Sequence, residues 1–495
     1  MFNKKEVSIN ILPSEVKKAV SRRGWRFGHQ TARVKDDGII AIEVLLLDII
    51  KGAGEIISAD LPKDANAYPS VTAQVHAAHR AERSIGDFFG LEAINHPLWK
   101  SLILHDDVWP RDFHPLRENK NYLTPHYEFM KVEGEGIHEI PVGPIHAGII
   151  EPGHFRFSCL GEIITNLEIR LGYQHRGIEK MLENMPWKRA RYLAESASAD
   201  TSIGNALAHT IAVEELLKFE PSPRANLLRI IALEVERIAN HLGDMGGLSA
   251  DIGYSAGASI FTRLRGGALN LGELLTGTRL QRWYILPGGV ARDLSGEKLN
   301  LFKNALKVLF EDVKDNLPLV IENPSVIERM QGTGKLSKPL AQEFGIVGPA
   351  SRASGIKYDA RVAFKQGAYP IKLFIPALRE DGDVLARAQI RADEIMASFA
   401  LAAELIESLP DSVIYEEINN SLPPDSVGIG IVEAWRGELI HWITTDNKGN
   451  ISRYAIKDPS FNNWTALAIA ARGNLVSDFP LCNKSFNLSY SGNDL

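Results

Sequence analysis

The sequence predicts an α+β protein: a small N-terminal α/β domain over residues 1–120, a linker over 121–140, and a mostly α-helical bundle over 141–495 with a small β element at its start. Three observations carry this. Up to about residue 120, apolar segments alternate too irregularly to order as strands, with one early helix among them. The run Glu133-Gly134-Glu135-Gly136 then marks a shift in composition. From about Gly172 the apolar period becomes helical.

Taken in order, the early helix is expected around residues 13–22, and the apolar segments that follow include 38–50. The polar, proline-bearing stretch from His105 to Arg117 reads as an exposed loop. After the linker, 140–142 and 155–160 read as short strands with Gly143 and Gly153 as turns. Residues 203–219 carry apolar side chains at i, i+3, i+4 and i+7, and Pro221 breaks the pattern where a helix should stop. Two further helices are expected over 225–243 and 384–409, the latter after the loop Glu380-Asp381-Gly382-Asp383. Helices this long, apolar along one side, build a bundle whose facing side chains form the site. Residues 483–495 read as a polar tail.

The chain has 495 residues, 45% hydrophobic and 23% charged, with a net charge of −6. That is enough chain for two to four domains with large cores. Basic and acidic residues are interspersed without a cationic tract, so nucleic acid is a poor partner. The first residues are polar rather than an apolar signal core, and the greasiest stretch, 39–50, contains Glu43 and Asp48 and is too short to span a bilayer. A cytoplasmic protein is expected, with any membrane association made through partners. The two cysteines, Cys159 and Cys482, give neither a disulfide framework nor a zinc spacing.

Several constellations could carry chemistry. The segment from Gly143 to Phe157 is a Gly/Pro-rich hairpin bearing His146 and His154 just ahead of a strand. Either histidine could donate a hydrogen bond or a proton near neutral pH. On spacing alone, the reading that they satisfy turn backbone is favoured. In Gly172-Tyr173-Gln174-His175-Arg176-Gly177-Ile178-Glu179, His175, Arg176 and Glu179 fall within one helical turn, a pattern that usually marks solvated surface. Glu234, Arg237 and His241 share a face of an otherwise apolar helix, which marks a buried polar cluster that needs partners. Gly243-Asp244-Met245-Gly246-Gly247 reads as a cap or close-packing site at a helix end. No nucleotide-binding glycine motif follows a strand, and Gly332-Thr333-Gly334-Lys335 lacks the rest of a phosphate loop.

Together with Phe344-Gly345-Ile346-Val347-Gly348-Pro349, the run from Arg352 to Arg361 and Glu433-Ala434-Trp435-Arg436-Gly437-Glu438, these segments resemble one family along nearly the whole chain. It is the large subunit of group 4, energy-converting nickel–iron hydrogenases, itself similar to the 49 kDa quinone-site core subunit of respiratory complex I. The His105 to Arg117 stretch resembles the end of the smaller, 30 kDa subunit of complex I, which is commonly fused upstream. The bundle is therefore expected to be hydrogenase-large-subunit-like.

The hydrogenases hold their metals with two cysteine pairs. Here the matching positions are Ser198 and Thr201, in Ser198-Ala199-Asp200-Thr201, and Ser489 and Gly492, in Ser489-Tyr490-Ser491-Gly492. Neutral hydroxyls and a glycine remove the charge and softness that hold nickel and iron, so no nickel–iron centre is expected. Asp200 alone is too little for Mg²⁺ or Ca²⁺. No residue follows Leu495, so no extension of the kind hydrogenase maturation removes is expected. The resemblance implies that His154, and secondarily His146, meets a quinone headgroup. Ala199 stands where the family's second headgroup contact, a tyrosine, belongs. It also implies that Arg176, with His175 and His241, faces a 4Fe–4S cluster on an iron–sulfur small subunit. Antiporter-like membrane subunits are implied as further partners. The expected role is electron transfer from that partner to a quinone or similar acceptor, as in NADH-quinone oxidoreductases, by a subunit peripheral to the membrane on its cytoplasmic side, holding no cofactor of its own. The alternative is a redox-silent coupling subunit of an ion-translocating complex.

Overall fold

The structure, a computed structural model, describes residues 2–117, 122–146, 148, 150–183, 185–364 and 375–495. Asn121 of the expected linker, and Ala147 and Ile149 of the hairpin, lie outside the described residues.

The N-terminal part is built on a four-stranded sheet of β1 (Phe2–Glu6), β2 (Trp25–Val34), β3 (Ile40–Asp48) and β4 (Ala53–Asp60), in spatial order β1-β4-β3-β2. Every residue of β3 is buried, as suits a central strand whose apolar residues are interrupted only by Glu43 and the terminal Asp48. Helix α1 (Leu12–Val20) carries Pro13 in its first turn and buries Leu12, Val16 and Ala19 against the sheet. A short parallel pair, β5 (Ala67–Pro69) and β6 (Glu92–Ile94), flanks helix α2 (His79–Phe89), which ends on Gly90 in the left-handed conformation. The His105 to Arg117 stretch is not simply an exposed loop. His105 and His114 are buried, because Leu171 O lies 2.6 Å from His105 Nε2 and Asp87 O lies 2.9 Å from His114 Nδ1.

The second part opens with an antiparallel sheet of β7 (Ile137–Val142), β8 (His154–Leu160) and β9 (Ile163–Arg170). Then come α3 (Ile178–Glu183), α4 (Trp187–Ala194), α5 (Ser202–Leu217), α6 (Pro223–Asp251) and α7 (Ser255–Thr276). After the two-residue strands β10 (Ile285–Leu286) and β11 (Gly289–Val290) follows α8 (Gly296–Asn316). Five short helices, α9 (Pro318–Ile321), α10 (Pro324–Met330), α11 (Lys338–Glu343), α12 (Gly348–Ala353) and α13 (Ala360–Ala363), lead to α14 (Val384–Glu407). The starts of α6 and α14 are chemically marked: Ser222 and Asp383 accept backbone N–H bonds from Ala225 (3.1 Å) and Ala386 (2.8 Å), and Pro223 sits at the first turn of α6. Helix α6 has 29 residues and runs past the expected end at Gly243. Its glycines are packing positions rather than a cap: a Cβ on Gly247 would lie 2.0 Å from Lys484 Cε.

The sequence pattern predicts no strand in the last third, yet β12 (Val427–Ala434), β13 (Gly437–Thr445) and β14 (Ile451–Lys457) form a buried antiparallel sheet. Helix α5 lies directly on it. A Cβ on Gly428 would meet Ala212 O at 2.2 Å and one on Gly430 would meet Ala208 O at 1.8 Å, so glycine is required by close approach. Leu45, Leu47 and Ile56 of the N-terminal sheet pack with Ile429, Ile431, Ile440 and Trp442 in one apolar cluster, so the two parts share a core. The chain closes with α15 (Pro459–Ala470) and α16 (Phe479–Phe486).

The residues after α16 are not a polar tail on the surface. Leu488, Ser489, Tyr490, Ser491, Asn493 and Asp494 are all buried. Their polar groups are bound to the interior: Ser460 Oγ accepts from Ser489 N (2.9 Å), Glu151 from Ser491 N (3.2 Å), Asn493 from Arg80 (2.5 Å) and Asp494 from Gln174 N (3.0 Å). Polar composition is compatible with burial where most polar groups are matched in this way.

Glu82 in α2 makes a local test of this logic. Fully buried, it accepts from Val71 N (2.8 Å), Thr72 N (3.1 Å) and Ser70 Oγ (2.6 Å). Replacing it by glutamine turns an amide donor toward backbone donors. Glu82→Gln is expected to lower stability by about 2 kcal/mol, read as a lower denaturant midpoint at unchanged slope.

Candidate functional site

The four positions that the sequence resemblance matches to the hydrogenase cysteines are brought together from distant parts of the chain. Ser198 and Thr201 sit on the approach to α5, and Ser489 and Gly492 in the closing segment. Ser198 Oγ and Ser489 Oγ are 2.9 Å apart, and Ser489 Oγ also accepts from Gly492 N at 2.9 Å. Thr201 Oγ1 lies 3.2 Å from Asp200 Oδ1.

Between them stands a charged pair. Arg436, in the turn joining β12 to β13, is buried, and its guanidinium donates both arms to Asp200 at 2.6 and 2.7 Å. Its Nε donates to Asn487 O (2.5 Å), and the group lies 3.8 Å above the Trp435 ring. Burial would raise the Asp200 carboxyl, but Arg436 overrides it and holds it below the usual range.

The donor set does not fit a nickel–iron centre. Three hydroxyls and a glycine offer no thiolate, and the chain's two cysteines are elsewhere, Cys159 in β8 and Cys482 in α16. Burial pushes the Cys482 thiol up to about 11. Among the described residues no group of three or more His, Cys, Asp or Glu side chains could hold a metal ion.

Arg176 and His175 precede α3 rather than lying on it. Arg176 is exposed, and its guanidinium donates to Ser196 O (2.9 Å), Ala197 O (2.7 Å) and Ser491 O (3.4 Å), tying the two former ligand segments together. His175 stacks on Phe88, and burial depresses its pKa. Glu179 is not solvated: it is buried and accepts from Arg453 (2.7 Å) and from Ile456 N (2.8 Å). His241 is wholly buried on α6, with Nε2 3.0 Å from Glu394 and Nδ1 3.7 Å from Asp244.

That histidine belongs to the buried cluster expected from α6, which is larger than the sequence pattern indicates. Arg237 pairs with Glu234 (3.1 Å), Arg352 with Glu394 (2.5 Å) and Glu433 (2.7 Å), and Arg361 with Asp359 (2.7 Å) and Glu234 (3.4 Å). Arg352, Arg361 and Glu433 lie in the family-like motifs of the sequence; Glu394 carries no such signal, because its helix reads as ordinary amphipathic repeat.

The hairpin between β7 and β8 is closed by a bond from Gly153 N to Pro144 O at 2.9 Å. His154 opens β8, is buried, packs on Phe129 and has Nδ1 3.3 Å from Gly143 O. His146 is half-buried and packs between Phe155 and Tyr490. Nε2 of each is buried without a hydrogen-bond partner among the described residues. Burial depresses both pKa values, so both rings are neutral at pH 7. Ala199 is exposed and offers no polar side chain. Cavities of about 1070 Å³ beside α5 and α6 and about 630 Å³ beside β2 and α11 lie away from this hairpin.

A hairpin histidine pair beside a metal-type pocket without thiolates, on a helical bundle fused to a β-sheet domain, defines a hydrogenase-like scaffold with its metal ligands replaced. The chain belongs to the family that unites the subunits of respiratory-chain NADH dehydrogenase described as 49 kDa and 30 kDa with the large subunits of membrane-bound hydrogenases. The 49 kDa family matches residues 251–428 and 419–494, and the 30 kDa family residues 29–125. Formate hydrogenlyase subunit 5 of Escherichia coli is 30% identical, across 99% of this chain and 88% of that protein. Hydrogenase-4 component G of the same organism is 32% identical, across 99% and 87%. The carbon monoxide-induced hydrogenase of Rhodospirillum rubrum is 31% identical, across 70% of this chain and 96% of that protein. A chain of the membrane-bound sulfane sulfur reductase, an archaeal respiratory membrane complex, superposes with a TM-score of 0.68 at 26% identity, over 73% of this chain and 99% of that one. No described helix is long and apolar enough to cross a membrane.

Asp200→Asn leaves Arg436 a buried cation without its anion. Because the Asp200 side chain is 39% exposed, water softens the loss, and about 2 kcal/mol is expected rather than the larger cost of a sealed pair. The Asp200 carboxyl is held below its unfolded value, so its stabilisation is full above the ordinary carboxylate range and is lost as pH falls from there through the depressed folded value. Melting midpoints measured from pH 7 down to 3 should therefore converge for wild type and Asp200→Asn.

Proposed function

We propose that this protein is the fused core subunit of a membrane-associated, complex I-like oxidoreductase, passing electrons from an iron–sulfur partner to a quinone or similar acceptor at the His154 hairpin, without reacting with hydrogen. The observation that carries this is the pair of buried imidazole nitrogens of His146 and His154, without hydrogen-bond partners among the described residues, on a hairpin that exposes Ile145 (84%) and Ile150 (51%). Exposed apolar side chains on such a hairpin suit coverage by a partner, which would complete an acceptor cavity.

Reduction of a quinone to its hydroquinone takes two electrons and two protons. The electrons would come from the partner's cluster, docked by the exposed Arg176 face, with His175 behind it. His241, sealed between Glu394 and Asp244, would act on that cluster only through the field of its neighbours. Both protons would come from solvent, and His154 Nε2, whose depressed pKa makes its protonated form a ready donor, would relay them to the oxygens gaining charge. Asp200 bonded to Arg436 would fill the electrostatic place of a metal centre and keep the pocket closed to one.

The second reading is a redox-silent coupling subunit of an ion-translocating assembly. The buried network of Glu234, Arg237, Arg352, Asp359, Arg361, Glu394 and Glu433 favours it, since such a network could pass a charge change between helices.

Two measurements test these readings. Elemental analysis of the purified complex should find no stoichiometric nickel, and hydrogen should be neither evolved nor consumed; one nickel per chain would refute the proposal. In the assembled complex, His154→Ala should lower acceptor reduction by about 100-fold and His146→Ala by clearly less. Wild-type turnover in both would reject the acceptor reading and leave the coupling reading.

A further inference from the structure

We infer that the cleft of about 630 Å³ between the N-terminal part and α11 is a small-molecule site that takes a planar aromatic ring carrying a carboxylate or a phosphate, with Arg26 binding the oxyanion. The inference goes beyond the acceptor reading and does not depend on it.

The cleft is walled from both halves of the chain, by α1 and β2 on one side and by α11 and the segments after it on the other. Its floor is apolar, with Phe27, Val75 and Ile346 buried. Trp25 and Tyr358 add aromatic surface on which a flat ring can lie. The Arg26 guanidinium stands 4.4 Å from the centre of the Tyr358 ring, so cation and aromatic surface are adjacent. A cavity of this size, apolar with a few placed polar groups, has the character of a ligand pocket.

Arg26 is its polar centre. Nη1 donates to Glu438 at 2.6 Å and Nη2 makes a long contact with Gly345 O at 3.5 Å, which among the described residues uses two of the five N–H donors of a guanidinium. Glu438 is wholly buried and is shared: Lys457 donates to it at 2.8 Å, and the Tyr358 phenol donates to it as well. Two cations thus meet one carboxylate at the back of the cleft. Glu433, the other carboxylate whose charge acts on Arg26, is already bonded to Arg352 (2.7 Å) and to Ala360 N (3.0 Å). An oxyanion entering the cleft would complete the pairing of a half-matched cation. Parallel N–H groups of a guanidinium match two oxygens of a carboxylate or a phosphate, which sets the ligand's charged end. At the mouth, Lys17 is exposed and in no ion pair among the described residues, while the one acidic lining residue, Glu343, is bonded to His76 at 2.5 Å. Neither end of the cleft therefore presents an unpaired carboxylate to repel an anion.

Titration calorimetry on the full chain with 2-naphthoate, 2-naphthyl phosphate and the uncharged 2-naphthol tests this. At least one of the two anions should bind at a single site per chain and about tenfold more tightly than 2-naphthol, the effect of charge-assisted hydrogen bonds; the tighter anion identifies the oxyanion. Arg26→Gln should weaken that binding about tenfold. Val20→Trp, which fills the cleft from a half-buried position on its wall, should abolish it. Melting midpoints establish that each variant is folded. Should Arg26→Gln fail to fold, Val20→Trp and the comparison with 2-naphthol decide. Binding of neither anion, equal affinity for 2-naphthol, or wild-type affinity in either folded variant would overturn the inference and leave the acceptor reading untouched.

Discussion

The pairing of buried arginines is the constraint on which the rest of this structure depends. Arg237, Arg352 and Arg361 are wholly buried, and each would be ruinous to the fold if left without a carboxylate. Their partners come from different parts of the chain: Glu234 from α6, Asp359 from the turn before α13, Glu394 from α14 and Glu433 from β12. Satisfying these charges fixes the two longest bundle helices against the C-terminal sheet. Arg237 also donates to Glu433 O (2.6 Å) and Ala434 O (3.2 Å), so the end of β12 is held by the same group. Among the described residues of this cluster four carboxylates face three guanidiniums, and His241 Nε2 lies 3.0 Å from Glu394. Burial and the adjacent Asp359 accordingly push the Glu433 carboxyl up.

The vacated metal pocket obeys the same constraint. Arg436 is buried at its edge and needs an anion beside it. Here the four ligand positions are neutral, and the compensating charge is Asp200, inside the first former ligand segment. Serine-to-serine bonding between Ser198 and Ser489 closes the rest. One carboxylate pairs the buried guanidinium and two hydroxyls bridge the segments, so the pocket is closed without a metal's charge.

The parts of the fold legible in the sequence are those where periodicity and local chemistry agree. Helices α5, α6 and α14 follow their apolar stripes and are bounded by Ser222, Pro223 and Asp383, whose capping is local. The polar cluster on α6 is legible because charges on an apolar stripe must be paired. The C-terminal sheet is not, since Gly428 and Gly430 argue against a strand until the close approach of α5 is known. The segment after α16 reads wrongly as a surface tail because burial there is secured by partners hundreds of residues away, such as Arg80 and Glu151, which composition does not reveal. At the candidate site, His146 and His154 can be named from the Gly/Pro hairpin, but the neutrality of their rings follows from packing against Phe155 and Phe129.

The pocket and the ion-pair network are physically continuous. His241 bonds to Glu394 and stands edge-on to Trp435 at 6.1 Å; Trp435 Nε1 donates to Asp200 O and Thr201 Oγ1, each at 3.1 Å. From Asp200 the contacts pass through Ser198 and Ser489 to Tyr490 and the hairpin. Continuity alone does not establish coupling, which needs an element with two arrangements that both sites bias. A titrating carboxylate supplies such an element, because its charge changes the pairing of every arginine it touches. On the acceptor reading proposed above, a charge change at the hairpin and proton occupancy at Glu433 would act on opposite ends of one set of contacts, so acceptor reduction and coupling need not be rival uses of the same interior.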